Sequence, residues 1–172
     1  MIELFTSLPH ILYFGKLSCY AQSLWISISS KCKAISKIET PTKNDYNKLL
    51  SLIDESKQLL LYIEDIIKSI SELADVISNA LLYYAIYPLV MARLMKVNSY
   101  INTNTALMIL TQIVTFITYK PLLNSILGPL VSREISLECK RAIEELPDNV
   151  GTYTKPWKFF ESTNNLDCIC FN

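Results

Sequence analysis

The sequence predicts an all-α fold, a bundle of about six or seven helices, and three observations carry that expectation. Apolar residues recur at three- and four-residue intervals through most of the chain. Only 3 glycines occur in 172 residues, and the polar interruptions hold proline with Asn, Thr or Asp rather than tight-hairpin dipeptides. The length fits one domain able to bury a core, and a hydrophobic fraction of 51% lies at the upper edge for soluble domains. Residues 1–146 read as the helical domain, and residues 147–172 as an aromatic, cysteine-containing tail.

The first helix runs from Ser7 to about Lys37, with Leu8, Ile11, Leu12, Phe14, Leu17, Tyr20, Ala21, Leu24 and Trp25 on its apolar face and an interruption at Gly15. Glu39 to Asn44 holds Pro41 and reads as a loop. From Asp45 a second helix places Leu49, Leu50, Leu52, Ile53, Leu59, Leu60, Tyr62, Ile63, Ile66 and Ile67 in a wide stripe, with Asp54, Glu55, Lys57 and Glu64 opposite. Ser69-Ile70-Ser71-Glu72 matches a capping box and predicts a new helix start.

The third helix carries Leu73, Val76, Ile77, Ala80, Leu81 and Tyr84 towards Pro88, where the missing donor predicts a kink or restart. Val97 to Thr105 reads as a loop with an N-cap at Asn102, Thr103 or Asn104. Ala106 to Tyr119 follows as a mostly buried helix. Lys120-Pro121 restarts the chain, with Leu122, Leu123, Ile126, Leu127 and Leu130 as core face and Gly128-Pro129 as the end or bend. The last helix, Ile135 to Leu146, stops at Pro147. In the tail, Tyr153, Pro156, Trp157, Phe159 and Phe160 are expected to pack back onto the bundle, the alternative being an exposed linear motif.

Lys+Arg and Asp+Glu number 16 each, so a broad polyanion-binding surface is not indicated, and the cluster Lys31, Lys33 and Lys37 reads as a solvated face. Five irregularly spaced cysteines (Cys19, Cys32, Cys139, Cys168, Cys170), without a secretory leader pattern, fit a reducing cytosolic setting. No metal or cofactor site is expected. Cys168-Ile169-Cys170 lacks zinc-knuckle spacing, and His10 is the single imidazole.

No uninterrupted apolar run reaches the roughly 18–20 residues that span a bilayer. Ala80 to Ala92 is short and broken by Pro88, and Ala106 to Tyr119 is short and carries Gln112 among threonines. Catalysis is not indicated either. The adjacent pairs Asp54-Glu55, Glu64-Asp65 and Glu144-Glu145 point to different helix faces and read as solvent-facing charges. His10 has no nucleophile pattern near it, and Gly15, Gly128 and Gly151 form no phosphate cradle. Gln112 is the polar residue to follow, because inside an apolar helix it needs partners from a neighbouring carbonyl or side chain.

Several ordered blocks carry a resemblance. Tyr62-Ile63-Glu64-Asp65-Ile66-Ile67, Leu81-Leu82 with Pro88-Leu89, Leu107-Met108-Ile109-Leu110-Thr111-Gln112-Ile113, and Pro121-Leu122-Leu123-Asn124-Ser125 together resemble the FPL-domain family, the endosomal and autophagy regulators called Ema. The resemblance covers about Leu8 to Val131 and corresponds to the helical region that follows the FPL domain, so the chain reads as a reduced paralogue or as a piece of a larger product. Thr118 and Tyr119 stand where the family often places histidines before the Pro-Leu restart, and from Ser132 onward there is no match.

The resemblance implies an armadillo-like helical array and a non-enzymatic scaffold or adaptor in endosomal-lysosomal traffic and autophagy, including mitophagy. It would be cytoplasmic, peripheral on endosomal or lysosomal membranes, with protein partners from that machinery and no nucleic acid. Tyr62, Asp65, Leu81, Leu82, Pro88, Leu89, Leu107, Leu110, Gln112, Pro121, Leu122, Asn124 and Ser125 are its motif positions, mainly structural. The alternatives are a peripheral membrane-binding module, using the tail or acylated Cys168 and Cys170, and a component of a ubiquitin-ligase complex.

Overall fold

The computed structural model describes residues 8–97, 99–132 and 136–144, with side chains from residue 13 onward. Among these residues the fold is all-α. Six helices follow in order: α1 (Leu8–Ile35), α2 (Lys43–Ser69), α3 (Ser71–Leu94), α4 (Thr103–Phe116), α5 (Lys120–Ser132) and α6 (Leu137–Glu144).

Helices α1 and α2 form an antiparallel pair. Three surface contacts fix its register: Tyr13 Oη with Tyr62 Oη at 3.0 Å, Tyr20 Oη donating to Glu55 Oε1, and Lys31 Nζ with Asp45 Oδ1 at 3.0 Å. Tyr20 therefore stands outside the apolar face that the spacing gives it, because its hydroxyl reaches Glu55 instead of the core. Gly15 does not interrupt α1. The start of α2 is set by a capping box at Thr42: the Thr42 hydroxyl accepts from the Asp45 amide, and the Asp45 carboxylate accepts from the Thr42 amide. The box expected at Ser69–Glu72 does not form. Helix α2 continues through Ser69, and Ile70 makes the corner with its own backbone, donating to Ile66 O and accepting from Leu73 N.

Gln112 Nε2 donates to Ile53 O, and the Thr118 hydroxyl reaches Glu64, so α4 runs parallel to α2 beside it. Helix α3, which joins them in the chain, must return antiparallel to both, and it is the core of the molecule. Its first turn is 3-10 (Ser71–Leu73), it continues as α-helix (Ala74–Leu81), and it widens to a π-helix over Leu82–Met91 before a last α-turn. Of the two outcomes expected at Pro88, a kink or a restart, the restart does not occur: the helix continues through it. Proline lacks a donor and its ring collides with the carbonyl four residues back, and the wider winding relieves that collision without ending the helix. The continuous helix is apolar enough by length and composition to cross a membrane, contrary to the expectation from the interrupted run. It lies inside the bundle, where 67% of its most apolar window is buried.

Burial on all sides accounts for the persistence of the π segment. Ala85 through Ala92 are all buried, packed by α1, α4 and α6. Its end closes with Lys96 in the left-handed region (φ 63°) and Val97 N donating to Ala92 O at 2.8 Å. Asn102 caps α4 by accepting from Thr105 N at 2.8 Å, while its own amide donates to Ser29 Oγ of α1. Helix α5 starts at Lys120-Pro121 as expected but runs past Gly128-Pro129 to Ser132. Helix α6 sets Cys139 and Ala142 into the core, and burial pushes the Cys139 thiol up to about 11. His10 falls in the first turn of α1; Cys168, Cys170 and the tail aromatics lie outside the described residues.

Candidate functional site

Three polar or surface clusters result from this arrangement. The first is a relay across three helices. Trp25 Nε1, fully buried, donates to Ser56 Oγ at 3.0 Å; Ser56 Oγ donates to Gln112 Oε1 at 2.8 Å; Gln112 Nε2 donates to Ile53 O at 3.2 Å. Gln112 thus finds both partner types that its position requires, a side chain and a carbonyl. The relay pins α1, α2 and α4 together.

The second cluster is the joint between α4 and α5. Glu64 is 3% exposed, which corrects its expected place among solvent-facing charges. Asp65, its neighbour, does face solvent. Leu60, Ile63, Glu64 and Ile67 share one helical stripe, so the carboxylate is carried inward with the apolar residues. There it accepts from the hydroxyl and the amide of Thr118 and from Lys68 Nζ at 3.1 Å. Burial pulls its pKa upward, but the Thr118 and Lys68 contacts outweigh it and hold the group below the usual glutamate range. Its Oε2 has no hydrogen-bond partner among the described residues. Glu64, Ile67, Lys68, Ala74 and Pro121 help to line an open groove of 540 Å³ here. A carboxylate just before the first turn of α5 also complements that helix's dipole. Glu64 is a clamp on the joint.

The third is the outer face of α4. The inner face buries Thr105, Ala106, Ile109 and Ile113. On the outer face Leu107 is 49% exposed and Val114 43% exposed, so this helix is two-sided rather than mostly buried. Between them Thr111 donates to Leu107 O at 2.8 Å, and Thr115 donates to Thr111 O at 2.7 Å. Both hydroxyls are thus satisfied within the helix. Between Lys96 and Arg133 the only charged residue is Lys120, in a chain with sixteen charges of each sign in all.

Comparison with known proteins finds no relative. No family model matches the chain, and no curated protein or solved structure matches it.

The motif positions quoted for the resemblance are distributed over the molecule and do not converge on one site. Leu81, Leu82, Pro88, Leu89 and Leu122 are buried, and Leu110 is half-buried against the core. Tyr62 and Asp65 are exposed on α2, Leu107 on α4, and Asn124 on α5. Gln112 belongs to the relay, and Pro121 borders the groove. Ser125 donates to Pro121 O at 3.0 Å and meets the hydroxyl of Tyr87, which also meets Ser136. Among the described residues no group of three or more His, Cys, Asp or Glu is placed to hold a metal ion. Ser56 went unread in the sequence and Glu64 was read as solvent-facing, although both occupy positions on the α2 apolar stripe that Leu59, Leu60 and Ile63 define.

Proposed function

We propose that the chain is a non-enzymatic helical scaffold that works through protein contacts made by the outer face of α4. One observation carries this reading: a solvent-facing helix, and the helix after it, with Lys120 as their single charge. Isolated exposed leucines are ordinary on soluble proteins. Two consecutive helices with a single charge are not, since roughly a quarter to a third of surface residues are normally charged. Charge is depleted where surfaces are covered by partners.

The finer reading is a role in endosomal-lysosomal traffic and autophagy, on cytosolic membrane faces, with partners from that machinery. It is supported by the ordered sequence blocks, two of which, Leu107–Ile113 and Pro121–Ser125, fall on α4 and α5. Affinity purification of the full chain from cells, with partners identified by mass spectrometry, tests it. Enrichment of trafficking or autophagy components is the expected result, and a partner set without them refutes the finer reading.

A further inference from the structure

We propose that one end of the bundle, formed by the α1–α2 turn and the end of α3, is a docking surface for an anionic lipid bilayer. This surface is separate from the outer face of α4.

Helix direction sorts the charges of a chain whose net charge is zero. Because α2 runs antiparallel to α1 and α3 antiparallel to α2, the end of α1, the start of α2 and the end of α3 meet. The Asn102 amide donates to Ser29 Oγ of α1 at 2.9 Å, and Arg93 Nε of α3 donates to Thr103 Oγ1 at 3.1 Å, which ties the last two connections together there. At this end α1 closes with Lys31, Lys33 and Lys37, α2 opens with Lys43 and Lys48, and α3 closes with Arg93 and Lys96. Only Glu39 and Asp45 oppose them, and Asp45 is already engaged by Lys31 and by the Thr42 cap. Lys33, Lys37, Lys43, Lys48 and Lys96 are exposed, and none has an ion-pair partner among the described residues. The far half of α2 and the start of α3 have the opposite balance: Asp54, Glu55, Glu64, Asp65, Glu72 and Asp75 outnumber Lys57 and Lys68.

Helix dipoles account for part of the cluster, since cations complement the C-terminal ends of α1 and α3 beside Lys33, Lys37 and Lys96. They do not account for Lys43. It is the first residue of α2, where a positive charge opposes the dipole. Like charges gathered at one end repel each other, and a negatively charged surface laid against them removes that cost.

Exposed apolar side chains stand among these cations: Ile38 is 42% exposed, Tyr46 48% and Val97 37%. Lysines beside aliphatic and aromatic groups match the headgroup layer of a bilayer, where phosphates take the ammonium groups and the acyl boundary takes the apolar ones. A nucleic-acid backbone would satisfy the lysines and leave Ile38 and Val97 without a counterpart. An acidic peptide would be held best in a groove, and the groove beside Glu64 and Pro121 lies towards the other end of α2.

Flotation of the full chain with vesicles of phosphatidylcholine, with or without about 30% phosphatidylserine, is the test. The wild type is expected to float with the phosphatidylserine vesicles alone at about 0.1 M salt and to be largely released at about 1 M, where screening shortens from about 10 Å to about 3 Å. A lysine at an anionic surface is worth about fivefold in affinity, so K37Q/K43Q should bind about 25-fold more weakly. K16Q/K120Q removes the same charge from exposed positions towards the other end and should bind as the wild type does. I38S/V97S should weaken vesicle binding at least about fivefold. Thermal melts by far-UV circular dichroism check that each variant is folded. Equal flotation with and without phosphatidylserine, or equal losses in K37Q/K43Q and K16Q/K120Q, overturns the proposal. Vesicle binding unchanged in I38S/V97S, with tighter binding of the wild type to polyuridylate, also overturns it, in favour of a nucleic-acid surface.

Discussion

Replacing Ser56 by alanine should cost far more than the loss of one surface hydroxyl. Ser56 is fully buried and both accepts from Trp25 Nε1 and donates to Gln112 Oε1. Without it the Trp25 N–H is left in a site closed to water, and an unpaired buried donor costs about 1–3 kcal/mol. Gln112 is only half-buried, so its oxygen can turn to solvent, and that bond contributes about 0.5–1 kcal/mol. The expected total spans about 1.5–4 kcal/mol and centres on about 2–3 kcal/mol, a substantial part of a typical stability of about 5–15 kcal/mol. In a Trp25→Phe background the donor is already gone, so Ser56→Ala should then cost about 1 kcal/mol and the double-mutant cycle should show coupling of about 1–2 kcal/mol. Urea denaturation followed by far-UV circular dichroism measures all four proteins, since that signal does not depend on the tryptophan. A Ser56→Ala effect under 0.5 kcal/mol, or costs that simply add, would refute the relay as the pin between α1, α2 and α4.

Two other outcomes follow from single residues. Lys96 holds a left-handed φ of 63° at the end of α3, a conformation that costs a side-chain-bearing residue about 1–2 kcal/mol, so Lys96→Gly should stabilise the protein by about 0.5–1 kcal/mol, and an unchanged or lower thermal midpoint contradicts the closure described for α3. Acid should destabilise the fold through two carboxylates whose folded pKa values are depressed: the Thr42 hydroxyl, then Lys31, bring Asp45 from 3.8 to about 2, and Glu64 lies below the usual glutamate range. Their contributions are fully present above the unfolded pKa values and are lost as pH falls through the folded ones. Denaturation midpoints measured from pH 6 to pH 2, with roughly that range bracketing carboxylate titration, should flatten in Asp45→Asn and Glu64→Gln; profiles parallel to the wild type would count against both contacts.

The fold class and most helix bounds were legible because a helix that buries one face writes that face at three- and four-residue intervals. Gln112 was legible for the same reason in reverse, as the residue that breaks an apolar pattern. Its partners were not, because Ser56 and Ile53 are more than fifty residues away in sequence and proximity arises only once α2 and α4 lie parallel. Glu64 was misread because charge was weighed above position: it sits on the stripe of Leu60, Ile63 and Ile67, and the Thr118 hydroxyl and amide make an inward carboxylate tolerable. The capping box at Ser69–Glu72 matched a local pattern, yet the corner at Ile70 closed through backbone bonds, while Thr42 and Asp45 formed the box that their sequence also encodes. Pro88 shows the limit most clearly. A local rule ends the helix there, and burial of the whole segment against α1, α4 and α6 overrides it by widening the winding. The outer face of α4 is partly visible in the sequence, since the interval between Lys96 and Arg133, with Lys120 as its one charge, can be read directly, but which of its apolar residues stay outside required the structure.

The central claim is that α4 has one face for the core and one for a partner. The most direct measurement compares Ile109→Glu with L107E/V114E in thermal stability and in affinity capture of cellular partners. Ile109, fully buried on the inner face, should unfold the protein when charged, whereas L107E/V114E should keep the wild-type thermal midpoint and lose the captured proteins. A double variant that binds as the wild type does would contradict the account.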